Sequence, residues 1–184
     1  MWSAMRALVV YESMYGNTRA VARNIADGLR ASHEVTLVPV GEATPELIAE
    51  ADLLVAGGPT HMHGMSSATT RRMAAQAAAK EDSRLTLDPG ASGPGLRDVF
   101  KDLAGGHALA ATFDTRLTEI PAFTGRASRP IGRLLKRHGW RLIAAPQSFL
   151  VTQQNTLVYG EAERARRWGM TLGAVSRTHS PAHA

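Results

Sequence analysis

At 184 residues the chain has the length of one domain with a full core, and its 44% hydrophobic content is that of a globular protein. It has no cysteine, which excludes disulfides, thiolate catalysis and cysteine-ligated metals, and no apolar run approaching the ~20 residues of a membrane span. The net charge of +5 is uneven: residues 1–94 carry 8 Lys/Arg against 10 Asp/Glu (−2), residues 95–184 carry 13 against 6 (+7).

Residues 1–5 lack the charged start and apolar core of a secretory signal, which points to the cytoplasm. The apolar run 6–11 predicts a first strand covered on both faces. It feeds into Ser13-Met14-Tyr15-Gly16-Asn17-Thr18, and a helical pattern over 18–31 leaves it. Strand, tight hydroxyl-rich loop, then helix aims free backbone N–H groups and the positive helix end at one point, which makes an anion cradle. A short strand follows over 34–38, then a short helix over 45–50 with Thr44 as N-cap and Pro45 at its first position. A third strand spans 52–56, followed by Gly57-Gly58-Pro59-Thr60-His61-Met62-His63-Gly64, expected as loop throughout.

An Ala-rich helix is expected over 66–79. Residues 80–95, bracketed by Asp88-Pro89-Gly90 and Gly93-Pro94-Gly95, are expected as an irregular, mobile excursion. The remaining expectations are a short helix at 96–103, a strand at 107–113, a long loop at 114–125 and a basic helix at 127–138. A strand at 140–144 resumes at 148–151, a last helix spans 160–175, and a frayed tail covers 178–184. The stripe Arg126/Arg129/Arg133/Lys136/Arg137 has helical spacing, and a solvated face is its simplest explanation. No basic stretch is interleaved with stacking rings, which argues against a nucleic-acid partner.

Strands alternating with helices predict an α/β fold: a doubly wound, five-stranded parallel sheet with helices on both faces. Ligands of such sheets sit at the carboxyl ends of the strands, where strand order reverses. Loops 12–18, 57–65 and 113–125 leave that edge. A nucleotide P-loop would need Gly-Lys-Ser/Thr, but Asn17 follows Gly16; a dinucleotide fingerprint would need three glycines after strand one, and only Gly16 is there. A phosphorylated receiver domain would need an Asp closing strand three, which here ends Ala56-Gly57-Gly58. His61-x-His63 lacks the third ligand a metal site requires.

Taken together these residues resemble the flavodoxin-like family over roughly residues 5–175. Ser13-Met14-Tyr15-Gly16-Asn17-Thr18 is similar to its FMN phosphate loop, usually Thr/Ser-x-Thr-Gly-Asn-Thr; Gly58-Pro59-Thr60-His61-Met62-His63-Gly64 is similar to its second loop, and Thr112-Phe113-Asp114-Thr115-Arg116 stands where its third begins. The resemblance implies strand order 2-1-3-4-5 and FMN as cofactor. It implies that Ser13, Met14, Tyr15, Gly16, Asn17 and Thr18 hold the phosphate. Pro59, Thr60, His61, Met62, His63 and Gly64 would then lie along the isoalloxazine edge, with Phe113, Asp114, Thr115 and Arg116 at its pyrimidine end. Tyr15 replaces the usual second Thr, and no Trp occurs in either flavin loop, so His61, Met62 or His63 would cover one ring face and Phe113 or Phe123 the other. Gly58 or Gly64 would allow a peptide flip, and Arg116 or a protonated His would place positive charge near the ring. The implied function is electron transfer through an exposed flavin edge, to a redox partner protein or a small-molecule acceptor. The alternatives are an FMN-dependent NAD(P)H oxidoreductase with a quinone-like substrate, or a flavin-free interaction module.

Overall fold

The computed structural model describes residues 4–61, 63–106, 108–118 and 125–179. Five strand positions form one parallel sheet in the order β2-β1-β3-β4-β5, with β1 Arg6–Tyr11, β2 Glu34–Pro39, β3 Leu53–Pro59, β4 Leu109–Leu117 and β5 Arg141–Leu142. The fifth position is split: after β5 the chain breaks off and returns as β6, Gln147–Val151, on the same edge of β4. The helices are α1 Asn17–Leu29, α2 Pro45–Ala49, α3 Ala68–Ala78, α4 Leu96–Val99, α5 Ser128–Arg137 and α6 Glu161–His179. No helix among the described residues is long and apolar enough to cross a membrane.

The period of two in each strand sorts side chains to two cores. Ala7, Val9, Leu53, Val55 and Ala111 face Val21, Ile25 and Leu29 of α1 and Ala165 and Leu172 of α6. Leu8, Val10, Leu54, Ala56 and Ala110 face Ile48, Leu96, Ile131, Leu135 and Trp140. Both faces are covered, which is why strands one and three read as unbroken apolar runs.

Two strands run further than the sequence indicates. Gly57, Gly58 and Pro59 belong to β3, paired with Phe113, Asp114 and Thr115 of β4, so residues 57–59 are not loop and neither are 114–117. Gly57 pairs with both β1 and β4, and Gly58 and Pro59 with β4 alone; this pairing outweighs the low strand propensity of Gly and Pro. Pro59 is tolerated because it is the last residue of its strand. Helix α6 continues to His179, so 178 and 179 are helical, and the rest of the expected tail lies outside the described residues. His107, expected to start β4, also lies outside them.

Segment 80–95 is irregular but anchored. The Asp88 N–H donates to the Met14 carbonyl at 2.8 Å, the buried Asp88 carboxylate meets Arg19 Nε at 3.3 Å, and Leu87 and Ala91 pack around Met14. These bonds hold the segment on the first loop rather than out over the surface.

Helices α1 and α6 cross in close contact: a Cβ on Gly169 would collide with the Ile25 carbonyl, and one on Gly28 with the Arg166 carbonyl. Gly169→Ala is expected to cost about 1–3 kcal/mol of stability through overpacking, read as a lower urea midpoint; an unchanged midpoint would mean the helices are not in contact there.

Candidate functional site

The loop after β1 turns sharply at Gly16, whose φ of +94° lies in the left-handed region that side chains disfavour. That turn starts α1 without any side-chain cap. The first N–H groups of α1 therefore have no partner within the helix and face outward with the positive end of its dipole. Ser13 Oγ accepts the Gly16 N–H at 3.1 Å, closing the turn from inside, and its own proton remains available. Thr18 Oγ1 lies 2.7 Å from Thr115 Oγ1 and links the start of α1 to the end of β4.

Two side chains expected as phosphate donors are committed elsewhere. The Tyr15 hydroxyl donates to the Ala74 carbonyl on α3 at 3.0 Å, and burial raises its pKa. The Asn17 amide donates to the carbonyl and Oδ1 of Asn155, at 3.1 and 2.8 Å. Asn17 thus pins the loop after β6, and Tyr15 pins α3.

A cleft of about 320 Å3 opens at this edge. The first loop contributes Met14, Tyr15, Asn17 and Thr18 to it; the end of β3 contributes Pro59, Thr60 and His61; the end of β4 contributes Thr115 and Arg116. All three expected segments therefore meet. Ser13 and Gly16 shape the loop behind the cleft wall. His63 and Gly64 lie past His61 in a tight turn, where the N–H groups of His61 and Gly64 each donate to the other's carbonyl at 2.9 Å. The positive φ of that turn falls at His63, 71°, and not at a glycine, while Gly58 is a buried strand residue between Glu12 and Leu96. Met62 and Phe123 lie outside the described residues.

Phe113 and Asp114 do not reach the cleft. The Phe113 ring is fully buried beneath Gly57 and packs edge-on against Phe149, with ring centres 6.3 Å apart. Asp114 is fully buried, and its Oδ2 accepts the Ser128 N–H at 2.8 Å, so it caps α5 from a neighbouring strand. Burial holds its carboxyl above the usual range, against the pull of the Ser128 and Ser148 hydrogen bonds. A strand continuing through 113 and 114 alternates these side chains into the two cores. Leu117, Val151 and Asn155 line the cleft but were missed in the sequence. The polar run 152–156 after a last strand was the available signal, since that loop leaves the same sheet edge.

A charge network, buried at Glu12 and Arg71 and open to solvent at Asp98, runs from the end of β1. Glu12 accepts from the Ser66 hydroxyl and, at 2.9 Å, from the Leu96 N–H; Arg71 donates to Ser66 at 3.1 Å and to Asp98 at 2.6 Å. The Gly95 N–H, with Arg71, keeps the Asp98 carboxyl below its ordinary range. This ties the end of β1 to the starts of α3 and α4. Burial lowers the pKa of His61, and Glu12 and the Pro59 carbonyl offset it only in part. His61 therefore gives up its proton more readily than an ordinary imidazole, and Arg116 is a cation that lines the cleft.

A larger concavity, about 650 Å3, lies at the opposite sheet edge among Ile48, Leu103 and Trp140. It stands at the amino ends of the strands, away from the helix N-terminus and the strand-order reversal, so size does not make it the site.

A doubly wound parallel sheet with a sharp glycine turn feeding an uncapped helix after its first strand, at the switch between β1 and β3, defines a flavodoxin-like α/β protein. The profile described as flavodoxin matches residues 9–106, and the chain belongs to the flavodoxin family, whose cofactor is FMN. A flavodoxin of Aquifex aeolicus (strain VF5) is 42% identical over 59 residues, an alignment spanning 31% of this chain and 32% of that protein. A solved flavodoxin from the domain Archaea superposes with a TM-score of 0.64 at 16% identity, covering 94% of this chain and 99% of that one. Oxidised flavodoxin 1 of Bacillus cereus gives 0.61 at 17% identity, covering 95% and 98%.

The cleft makes two testable statements. Asn17→Ala removes both bonds to Asn155, so amides of residues 153–156 should exchange with deuterium several-fold faster, each lost bond being worth about 0.5–1.5 kcal/mol; unchanged exchange would show the loop is held by other contacts. The His61 ring should titrate below 6.5 in an NMR pH series. Because its folded pKa is depressed, the linked stability should fall as pH drops through 6.5 toward that lower value. A His61 pKa at or above 6.5 would contradict its burial.

Proposed function

We propose that the cleft binds FMN and that the protein passes electrons through the exposed edge of the bound ring. The observation that carries the reading is the Gly16 turn, closed from behind by Ser13, which delivers an uncapped helix N-terminus and the Thr18 hydroxyl to a cleft walled by the ends of β3 and β4. The donor set fits the group: a phosphate dianion needs several N–H and O–H donors in a positive field, and a planar ring needs a slot with few charges.

In this assignment the backbone of Ser13–Thr18 holds the phosphate, with hydroxyl donation from Ser13 and Thr18. Met14 and Tyr15 shape the loop, and Asn17 fixes the wall at Asn155. Pro59, Thr60 and His61 border one side of the ring, with Met62, His63 and Gly64 completing that loop. Thr115, Leu117 and Val151 form the other side, and Arg116 offers a positive charge to the ring's polar end. Among the described residues no Trp lines the cleft, and the ring side chains there are Tyr15 and His61; without a pair of large aromatic rings on its two faces the flavin is held more weakly. When bound, FMN supplies reversible electron transfer; the chain binds it, orients it and leaves one edge open.

The test is a titration of the purified protein with FMN, followed by flavin fluorescence and by a visible band near about 450 nm. Wild-type protein should bind. Thr18→Val should weaken binding about tenfold, the loss of one charge-assisted hydrogen bond, and Gly16→Val by more, since it strains the turn as well. Equal affinity in all three would refute the cradle. Sustained NAD(P)H oxidation with a quinone, with no reductase added, would select the oxidoreductase reading over the carrier.

A further inference from the structure

We propose that the basic face of α5, which starts at the mouth of the cleft, docks an acidic electron-transfer protein over the open ring edge. The inference rests on the FMN reading and names the chemistry of the partner. Residues 120–160 contain Arg126, Arg129, Arg133, Lys136, Arg137 and Arg141 and not one Asp or Glu. On α5 the cations recur every three to four residues, so they share one face, while Ile131 and Leu135 bury the other. Arg129, Arg133, Lys136 and Arg137 are exposed.

On α1, α3 and α6 each cation without an ion pair among the described residues, such as Arg23, Arg72 or Arg177, stands among cations that are paired. Arg164, Arg166 and Arg167 on α6 all reach Glu161 or Glu163, Arg30 meets Asp27 and Arg71 meets Asp98. Among the described residues none of Arg126, Arg129, Arg133, Lys136 and Arg137 forms an ion pair. A face merely kept wet has no need of a single sign of charge; one that attracts a charged partner does.

Position links this face to the cleft. The Ala127 N–H donates to Thr60 Oγ1 at 3.1 Å, and Thr60 lines the cleft. Gly125 bridges to His63, and the charge of Arg126 bears on Arg116 inside the cleft. From there α5 runs about 15 Å down the molecule. At the mouth Leu117 is 41% exposed, an apolar contact beside the charges. An apolar spot beside cations that form no ion pair, with no exposed aromatic ring among the described residues there, fits a folded acidic protein better than a nucleic acid, which needs stacking platforms or a groove-reading element.

The experiment uses the full FMN-loaded chain and an acidic [2Fe–2S] ferredoxin as probe, with a basic cytochrome c as control, by calorimetry and amide shift mapping at low ionic strength. The expected result is ferredoxin binding that perturbs 117, 126, 129 and 133, weakens steeply with added salt, and exceeds cytochrome c binding about tenfold or more. The double variant R129E/R133E should lose that preference while keeping the wild-type visible spectrum. Ferredoxin binding no tighter than that of cytochrome c, or untouched by the charge reversal, overturns the proposal. Tighter binding of a short DNA duplex at the same salt overturns it in favour of a nucleic-acid surface. Failure of the FMN reading is seen separately, as loss of the visible band in wild-type protein, because the charge comparison is also made on the flavin-free chain.

Discussion

Everything at this site hangs from the register of a parallel ladder. Tyr11 pairs with Gly57, Gly57 with Phe113, and Phe113 with Gln147, so one straight row crosses four strands. Residues beyond that row emerge together on one edge. Because β4 runs four residues past the row and β6 does likewise, that side forms a wall, while β1 ends at the row and turns down into α1. A one-residue slip would turn alternate side chains to the wrong face and take the hydroxyl of Thr115 from Thr18. The cleft is thus a consequence of strand lengths in a fixed register, lined by what happens to follow each strand.

The polar side chains around it serve mainly to hold backbone. Tyr15 ties the first loop to α3, Asn17 ties it to the loop after β6, Asp88 ties segment 80–95 to Met14 and Arg19, and Asp114 and Thr60 hold the start of α5. Glu12, with Arg71 and Ser66, braces the end of β1. An anion site made of main-chain N–H groups needs such bracing, since donors set in advance do not have to be ordered when the ligand arrives. At Tyr15, where the usual loop pattern has Thr, the hydroxyl instead fixes the loop to the Ala74 carbonyl.

Much of this was legible in the sequence, for identifiable reasons. β1, α2 with its Thr44 cap and the split fifth strand were readable because apolar periodicity and N-cap chemistry are local signals. The strand order, and a shared edge for the expected loops 12–18, 57–65 and 113–125, followed from the resemblance and the sheet-edge rule; of those segments Met14, Thr18, Thr60, His61, Thr115 and Arg116 are among the residues that meet in the cleft. What failed was decided by tertiary partners. Gly57 to Pro59 look like loop until β4 is placed beside them. Phe113 and Asp114 look like ligand contacts until strand alternation turns them inward. Segment 80–95 looks free because its anchors, Arg19 and the Met14 carbonyl, lie some seventy residues away in the chain. Leu117, Val151 and Asn155 carry no motif of their own.

The central claim, that this edge and not the larger hollow at the other end of the sheet receives FMN, is tested most directly by mapping backbone amide shifts as FMN is added to the protein. The account predicts changes concentrated at residues 13–19, 59–61, 115–117 and 151–155. Changes gathered instead around Ile48, Leu103 and Trp140, with residues 13–19 silent, would contradict it.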